Sequence, residues 1–127
     1  MSSNVENTAK ERFLFRKKSK LKRKKWIEIL FSEGKSVKNY PLKAIFTPLA
    51  EGEASMIGVS VPKKLFKHAT DRNHIKRLMR EAYRLNQSMV ENSYAVMFIY
   101  ISGKKTDFDG IFEAMKSILK KIEESDT

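Results

Sequence analysis

The sequence predicts an α+β fold: a single-domain two-layer α/β sandwich with its elements in the order α-β-β-α-β-α. Three observations predict it. Tyr94-Ala95-Val96-Met97-Phe98-Ile99-Tyr100-Ile101 is a continuous apolar run of strand length, as expected for a central strand buried on both faces. On either side of it, about 71–87 and 108–123, apolar residues recur at helical spacing. The chain of 127 residues is long enough for one hydrophobic core, which helices laid on a sheet would close.

Taken in order, residues 1–10 are polar and unpatterned and are expected to be a disordered tail, with the domain at 11–123 and a frayed terminus at 124–127. Arg12-Phe13-Leu14-Phe15-Arg16 alternates too briefly to assign beyond an extended arm. The polybasic run Lys17 to Lys25 leads into a helix at about 23–33. Ile27, Leu30 and Phe31 give this helix an apolar face, with Trp26 at its edge and Gly34 as its stop. Val37 to Thr47 reads as the first strand, with Pro41 favouring an edge or bulge near its start. Pro48 to Ala54, containing Gly52, is the turn. Ser55 to Val61 is a second, β-branched strand ended by Pro62. The helix at about 71–87 takes Thr70 as its N-cap. Asn92 and Ser93 break the chain before the apolar strand, and Gly103 closes that strand. Thr106-Asp107-Phe108-Asp109 resembles a capping box, with Asp in place of Glu. The last helix carries Phe108, Ile111, Phe112, Met115, Leu119 and Ile122 on one face.

The net charge of +11 is concentrated in two segments. Residues 10–25 hold ten Lys or Arg against Glu11 alone, and residues 63–84 hold eight against Asp71 and Glu81. The remainder of the chain is net acidic, so the positive charge is not general solubilising charge. It implies a polyanionic partner. The absence of cysteine excludes disulfides and zinc–thiolate sites. No apolar run approaches the ~20 residues that span a bilayer, and no signal-peptide stretch is seen, so the expected location is cytoplasmic, with no membrane partner.

Catalytic chemistry is poorly supplied. Asp107 and Asp109 sit at a helix start, where capping and dipole compensation account for them. His68 and His74 are the only histidines, and neither has a carboxylate or nucleophile placed to orient it. There is no phosphate-cradling Gly-rich loop and no Ser-His-Asp arrangement. No catalytic residue is assigned; the chain reads as a binder.

Its binding surface is the helix at 71–87. Ile75, Leu78, Met79 and Ala82 form an apolar stripe, and Arg72, Lys76, Arg80 and Arg84 recur every fourth residue beside it, with Asn73 and Arg77 on the flank. One side can pack on a core while the other follows a phosphate backbone. Lys63, Lys64 and Lys67 lie just upstream, and the Asn73 amide suits backbone or 2′-hydroxyl contacts. A helix-turn-helix would need a second helix where this chain has a strand and a Lys-rich loop, so DNA is not expected. Composition favours RNA only mildly.

Val61-Pro62-Lys63-Lys64, followed by Asp71-Arg72-Asn73-His74-Ile75-Lys76-Arg77-Leu78-Met79-Arg80-Glu81-Ala82-Tyr83-Arg84, closely resembles the signature of the bacterial ribonuclease P protein subunit. The likeness extends over about residues 11–122. It implies a protein that does not cleave by itself but joins a large catalytic RNA. The holoenzyme then removes the 5′ leader of precursor tRNA with Mg2+ held mainly by the RNA. It also implies a left-handed βαβ crossover around the basic helix, against the usual right-handed rule. On the matching positions, Lys63, Lys64, Arg72, Asn73, His74, Lys76, Arg77, Arg80 and Arg84 would face the catalytic RNA. Trp26, Ile27, Phe31, Lys43 and Ile45 would belong to a cleft for the single-stranded leader. His74 stands where the family carries Arg, Ile27 where an aromatic is frequent, and Ile45 also lacks a ring. The alternative reading is a ribosomal-type or general RNA-binding protein, which would share the charge without stimulating leader cleavage.

Overall fold

Alternation of side chains along the strands gives the sheet two unlike faces, and these faces organise the molecule. The computed structural model describes residues 27–49 and 54–125. Helix α1 runs through residues 27–33. Then come β1 (Lys35–Asn39), β2 (Leu42–Pro48), β3 (Met56–Ser60), α2 (Ala69–Asn86), a 3-10 turn (Gln87–Met89), β4 (Tyr94–Tyr100) and α3 (Phe108–Ser125). The sheet order is β1-β2-β4-β3, antiparallel except for the parallel β3–β4 pair, whose crossover is α2. The tail, the polybasic run, Trp26 and the centre of the 48–54 turn lie outside the described residues.

On one face, Leu42, Ala44 and Phe46 of β2 and Tyr94, Val96, Phe98 and Tyr100 of β4 are buried. Against them pack Ile75, Met79 and Ala82 of α2 and Ile111, Met115, Ile118, Leu119 and Ile122 of α3. Each large side chain taken fully out of water there contributes about 1.5–3 kcal/mol, so packing more than intrinsic propensity holds both helices. The polar atoms inside this layer are satisfied. The Tyr100 hydroxyl donates to the Lys104 carbonyl at 2.6 Å and is 2.7 Å from the Thr106 hydroxyl, while Asn86 Nδ2 donates to the Ala82 carbonyl at 3.0 Å.

The α+β class and the element order hold, with three local differences. The single strand expected over Val37–Thr47 is a hairpin, because the chain reverses at Tyr40-Pro41, a cis peptide, and pairs Lys38 with Lys43 and Val37 with Ala44. Helix α2 starts at Ala69 with His68, not Thr70, in the N-cap position and without a side-chain cap bond. Arg72 accounts for this shift: its Nη1 donates to the carbonyls of Phe66 and Lys67, both at 2.9 Å, and fixes the entering chain from inside the helix. At α3 the cap is Asp107, whose Oδ1 accepts the Gly110 N–H at 2.9 Å; the Thr106 hydroxyl is taken by Tyr100.

Candidate nucleic-acid interface

Helix α2 must bury one stripe and expose another, and its basic residues cross between the two. An α-helix turns ~100° per residue, so an every-fourth-residue row drifts about 40° per step. Arg72, at the start of the row, is half-buried and tied to backbone carbonyls; Lys76 is half-buried; Arg80 and Arg84 are exposed. Asn73, His74 and Arg77 are exposed, and Lys63, Lys64 and Lys67 are exposed in the loop before the helix. Together they form one continuous basic surface from the end of β3 along α2.

Both acidic residues of this segment are paired. Lys105 Nζ lies 2.8 Å from Asp71 Oδ1, and the hydrogen bond from Lys105 holds the Asp71 carboxyl below the usual carboxylate range. Arg84 grips Glu81 through two bonds, Nε to Oε1 at 3.0 Å and Nη2 to Oε2 at 2.5 Å, which likewise lowers the Glu81 pKa. A polyanion approaching α2 therefore meets no unpaired carboxylate from these two residues. The cost is that much of the Arg84 charge is already spent on Glu81.

The second face of the sheet carries a different surface. Register places three rungs of side chains on it: Thr47–Ala95–Met56, then Ser36–Ile45–Met97–Gly58, then Lys38–Lys43–Ile99–Ser60. Helix α1 covers the first two by laying Leu30 on Ile45 and Ala95. Gly34 allows this approach. Its N–H donates to the Leu30 carbonyl at 2.9 Å, and a Cβ there would lie 2.5 Å from that oxygen and 2.8 Å from Ile45 Cγ2. Beside α1, at the β3 edge, opens a cavity of about 760 Å3 lined by Ile27, Leu30, Met56, Met97, Arg80 and Tyr83, among others. Its floor is apolar, and Arg80 and Tyr83 form its α2 wall. Burial raises the Tyr83 pKa above the ordinary phenol value.

The residues expected to form a cleft are therefore only partly brought together. Ile27 lines the cavity, whereas Ile45 is 8 % exposed and lies beneath Leu30 as floor. Phe31 is 60 % exposed rather than part of a packed apolar face, and Lys43 is one rung beyond Ile45. Trp26 lies outside the described residues. Among the expected RNA-docking residues, Arg80 also walls the cavity, so the two surfaces meet at its side chain. Sequence reasoning missed Tyr83, Met97, Gly58 and Lys105. A glycine inside a strand does signal close approach, and here Met97 Cε would lie 2.9 Å from a Cβ at Gly58. Nothing local in the sequence announces the Lys105–Asp71 pair, which joins residues far apart in the chain.

Comparison with known proteins shows what the chain and its fold are similar to. The family model described as Ribonuclease P matches residues 15–123. The chain is 38% identical over 105 residues to the ribonuclease P protein component of Porphyromonas gingivalis, covering 76% of this chain and 77% of that one. It is 34% identical over 96 residues to the component of Clostridioides difficile, covering 74% and 82%. The structure of the RNase P protein from Thermotoga maritima superposes with a TM-score of 0.66 at 28% identity, over 76% of this chain and 91% of that one. The Staphylococcus aureus RNase P protein gives 0.66 at 26% identity, over 76% and 87%.

Proposed function

Because this chain belongs to the ribonuclease P protein family, as the protein component of a tRNA-processing complex, we propose that its two surfaces divide the RNA between them. The basic face of α2, with Lys63 and Lys64, docks the catalytic RNA. Asn73, His74, Lys76, Arg77 and Arg80 make the contacts, Arg84 contributes at the end of the row, and Arg72 shapes the surface while reaching its edge. The cleft beside α1 takes the single-stranded 5′ leader of precursor tRNA, with Ile27 as an apolar wall, Ile45 in the floor beneath α1, Phe31 as the stacking ring and Lys43 as the phosphate contact. Trp26 belongs to the same proposal.

In this reading the protein performs no bond cleavage. Among the described residues no group of three or more His, Asp or Glu side chains could hold a metal ion. Mg2+, which the family resemblance places mainly on the RNA subunit, would supply activation of water and stabilisation of the leaving oxygen there. The protein's own lysines and arginines neutralise phosphates where catalytic RNA and substrate approach each other. This lowers repulsion and frees counterions, so binding gains from the protein even without new base contacts. Among the described residues no helix is long and apolar enough to cross a membrane.

The observation that carries the proposal is the basic face of α2 meeting, at Arg80, an apolar cleft lined by α1, the helix that also bears the exposed ring of Phe31. The test is reconstitution: protein, a bacterial ribonuclease P RNA and precursor tRNA at low magnesium. Stimulated cleavage at the mature 5′ end is expected, and Phe31→Ala should weaken precursor binding more than mature-tRNA binding. No stimulation would point instead to a general RNA-binding protein.

A further inference from the structure

The third rung of the open sheet face ends in two lysines set directly opposite each other. Lys38 and Lys43 are register partners on β1 and β2, and cross-strand partners on one face hold their Cβ atoms about 4.5–5.5 Å apart. Like charges so placed oppose folding. Neither forms an ion pair with a carboxylate among the described residues. The turn between them carries Tyr40, 64 % exposed, the most exposed large hydrophobic side chain among the described residues. The hairpin that presents these groups is pinned at two points. The Ile101 N–H donates to the Pro41 carbonyl at 2.8 Å, and Lys121 Nζ donates to the Lys38 carbonyl at 2.8 Å, bringing a third ammonium to its base. An uncompensated lysine pair beside a solvent-facing ring, on a fixed hairpin, is the arrangement that single-stranded nucleic acid uses: ammonium groups for phosphates and a ring for a base.

We propose that the β1–β2 hairpin is a second leader-binding station, in which Tyr40 stacks on a base of the single-stranded 5′ leader while Lys38 and Lys43 hold the phosphates next to it. The proposal rests on the leader-cleft reading above and extends it. The cleft is walled on its β3 side by Arg80 and Tyr83 of α2, the RNA-docking side, and by Ile27 and Leu30 of α1 over the first two rungs. Its lining reaches Ser60, which opens the third rung, Ser60–Ile99–Lys43–Lys38, that α1 leaves uncovered. A strand entering from the RNA side and crossing the sheet leaves over the rung that bears Lys43 and then Lys38. Four strands spaced about 4.8 Å apart make a face about 15 Å wide, room for roughly two to three extended nucleotides. The hairpin therefore meets the leader only beyond those nucleotides.

The experiment measures holoenzyme affinity for two precursors, one with a leader of about two nucleotides and one of about eight, a choice set by that width. Tyr40→Ala and Lys38→Gln are compared with Phe31→Ala and the unaltered chain. The hairpin changes are expected to weaken long-leader binding about tenfold and to leave short-leader binding unchanged. Lys38→Gln should also reduce the salt slope for the long leader by roughly 0.7, one phosphate. Tyr40→Phe should bind as the unaltered chain does. The melting temperature of the Lys38→Gln variant should equal or exceed that of the unaltered chain, because a repulsion has been removed. Long-leader affinity unchanged by the hairpin variants while Phe31→Ala lowers it would overturn the proposal and leave the cleft standing. Equal losses for both leaders would overturn it too, by making the hairpin a contact to tRNA or catalytic RNA. If Phe31→Ala has no effect on either precursor, it is the cleft reading that fails.

Discussion

Arg72 and Arg77 lie on the same helix and serve different ends. Arg72 spends one guanidinium nitrogen on the carbonyls of Phe66 and Lys67, so it shapes the turn that delivers the chain to α2. Arg77 is exposed on the outer face. Arg72→Ala is therefore expected to lower stability by about 1–2 kcal/mol, the range for a charged donor lost from a partly wet site. Arg77→Ala should change stability by no more than about 0.5 kcal/mol while weakening assembly with the catalytic RNA. Urea denaturation and RNA titration of both variants check this; equal stability losses would remove the distinction. Asp71 offers a pH test. Lys105 lowers its carboxyl pKa in the folded chain, so the pair adds stability at neutral pH that is lost as the pH falls through the depressed value. Lys105→Ala should move the acid-unfolding midpoint to higher pH, followed by circular dichroism. No movement would place the pair among the many exposed ion pairs that contribute nothing measurable.

At the scale of elements, the seat of α1 decides whether the cleft exists. Gly34 lets the chain turn against the Leu30 carbonyl and Ile45, where a methyl group would overlap backbone as well as side chain. Gly34→Ala should cost about 1–3 kcal/mol, as overpacking does, and should reduce leader binding more than binding to the catalytic RNA, since α2 is untouched. Proportionate losses in both would show that α1 does not shape the leader site. The elements that periodicity made legible are those with one strong stripe: α2, β4 and α3 lie within two residues of where apolar spacing put them at nearly every boundary. The β1–β2 hairpin was not legible, because Val37, Leu42, Ala44 and Phe46 share one buried face on both sides of the reversal and read as one run. The α2 cap escaped for another reason: it depends on a side chain four residues inside the helix. For the candidate site, the basic stripe was visible in spacing alone, whereas the cavity joining Ile27 to Arg80 needed the sheet between them.

For the molecule as a whole, charge is segregated by face, and the proposed function inherits its salt response from that. Affinity for the catalytic RNA should fall steeply as salt rises, by roughly 0.7 to 0.9 log units per log unit of salt for each phosphate neutralised. Titrations at several salt concentrations give the slope directly, and a flat response would be incompatible with docking through α2. The sheet keeps the two surfaces apart over most of their extent, one across its open face and one along the outer side of α2. They converge at Arg80, which belongs to the basic row and to the cavity wall together. Under the proposed function that shared wall would couple the two binding events, and any such coupling is thermodynamically reciprocal. Whatever factor catalytic-RNA docking contributes to leader affinity by setting Arg80, a bound leader returns the same factor to docking. A precursor tRNA would then help to hold together the ribonucleoprotein that matures it.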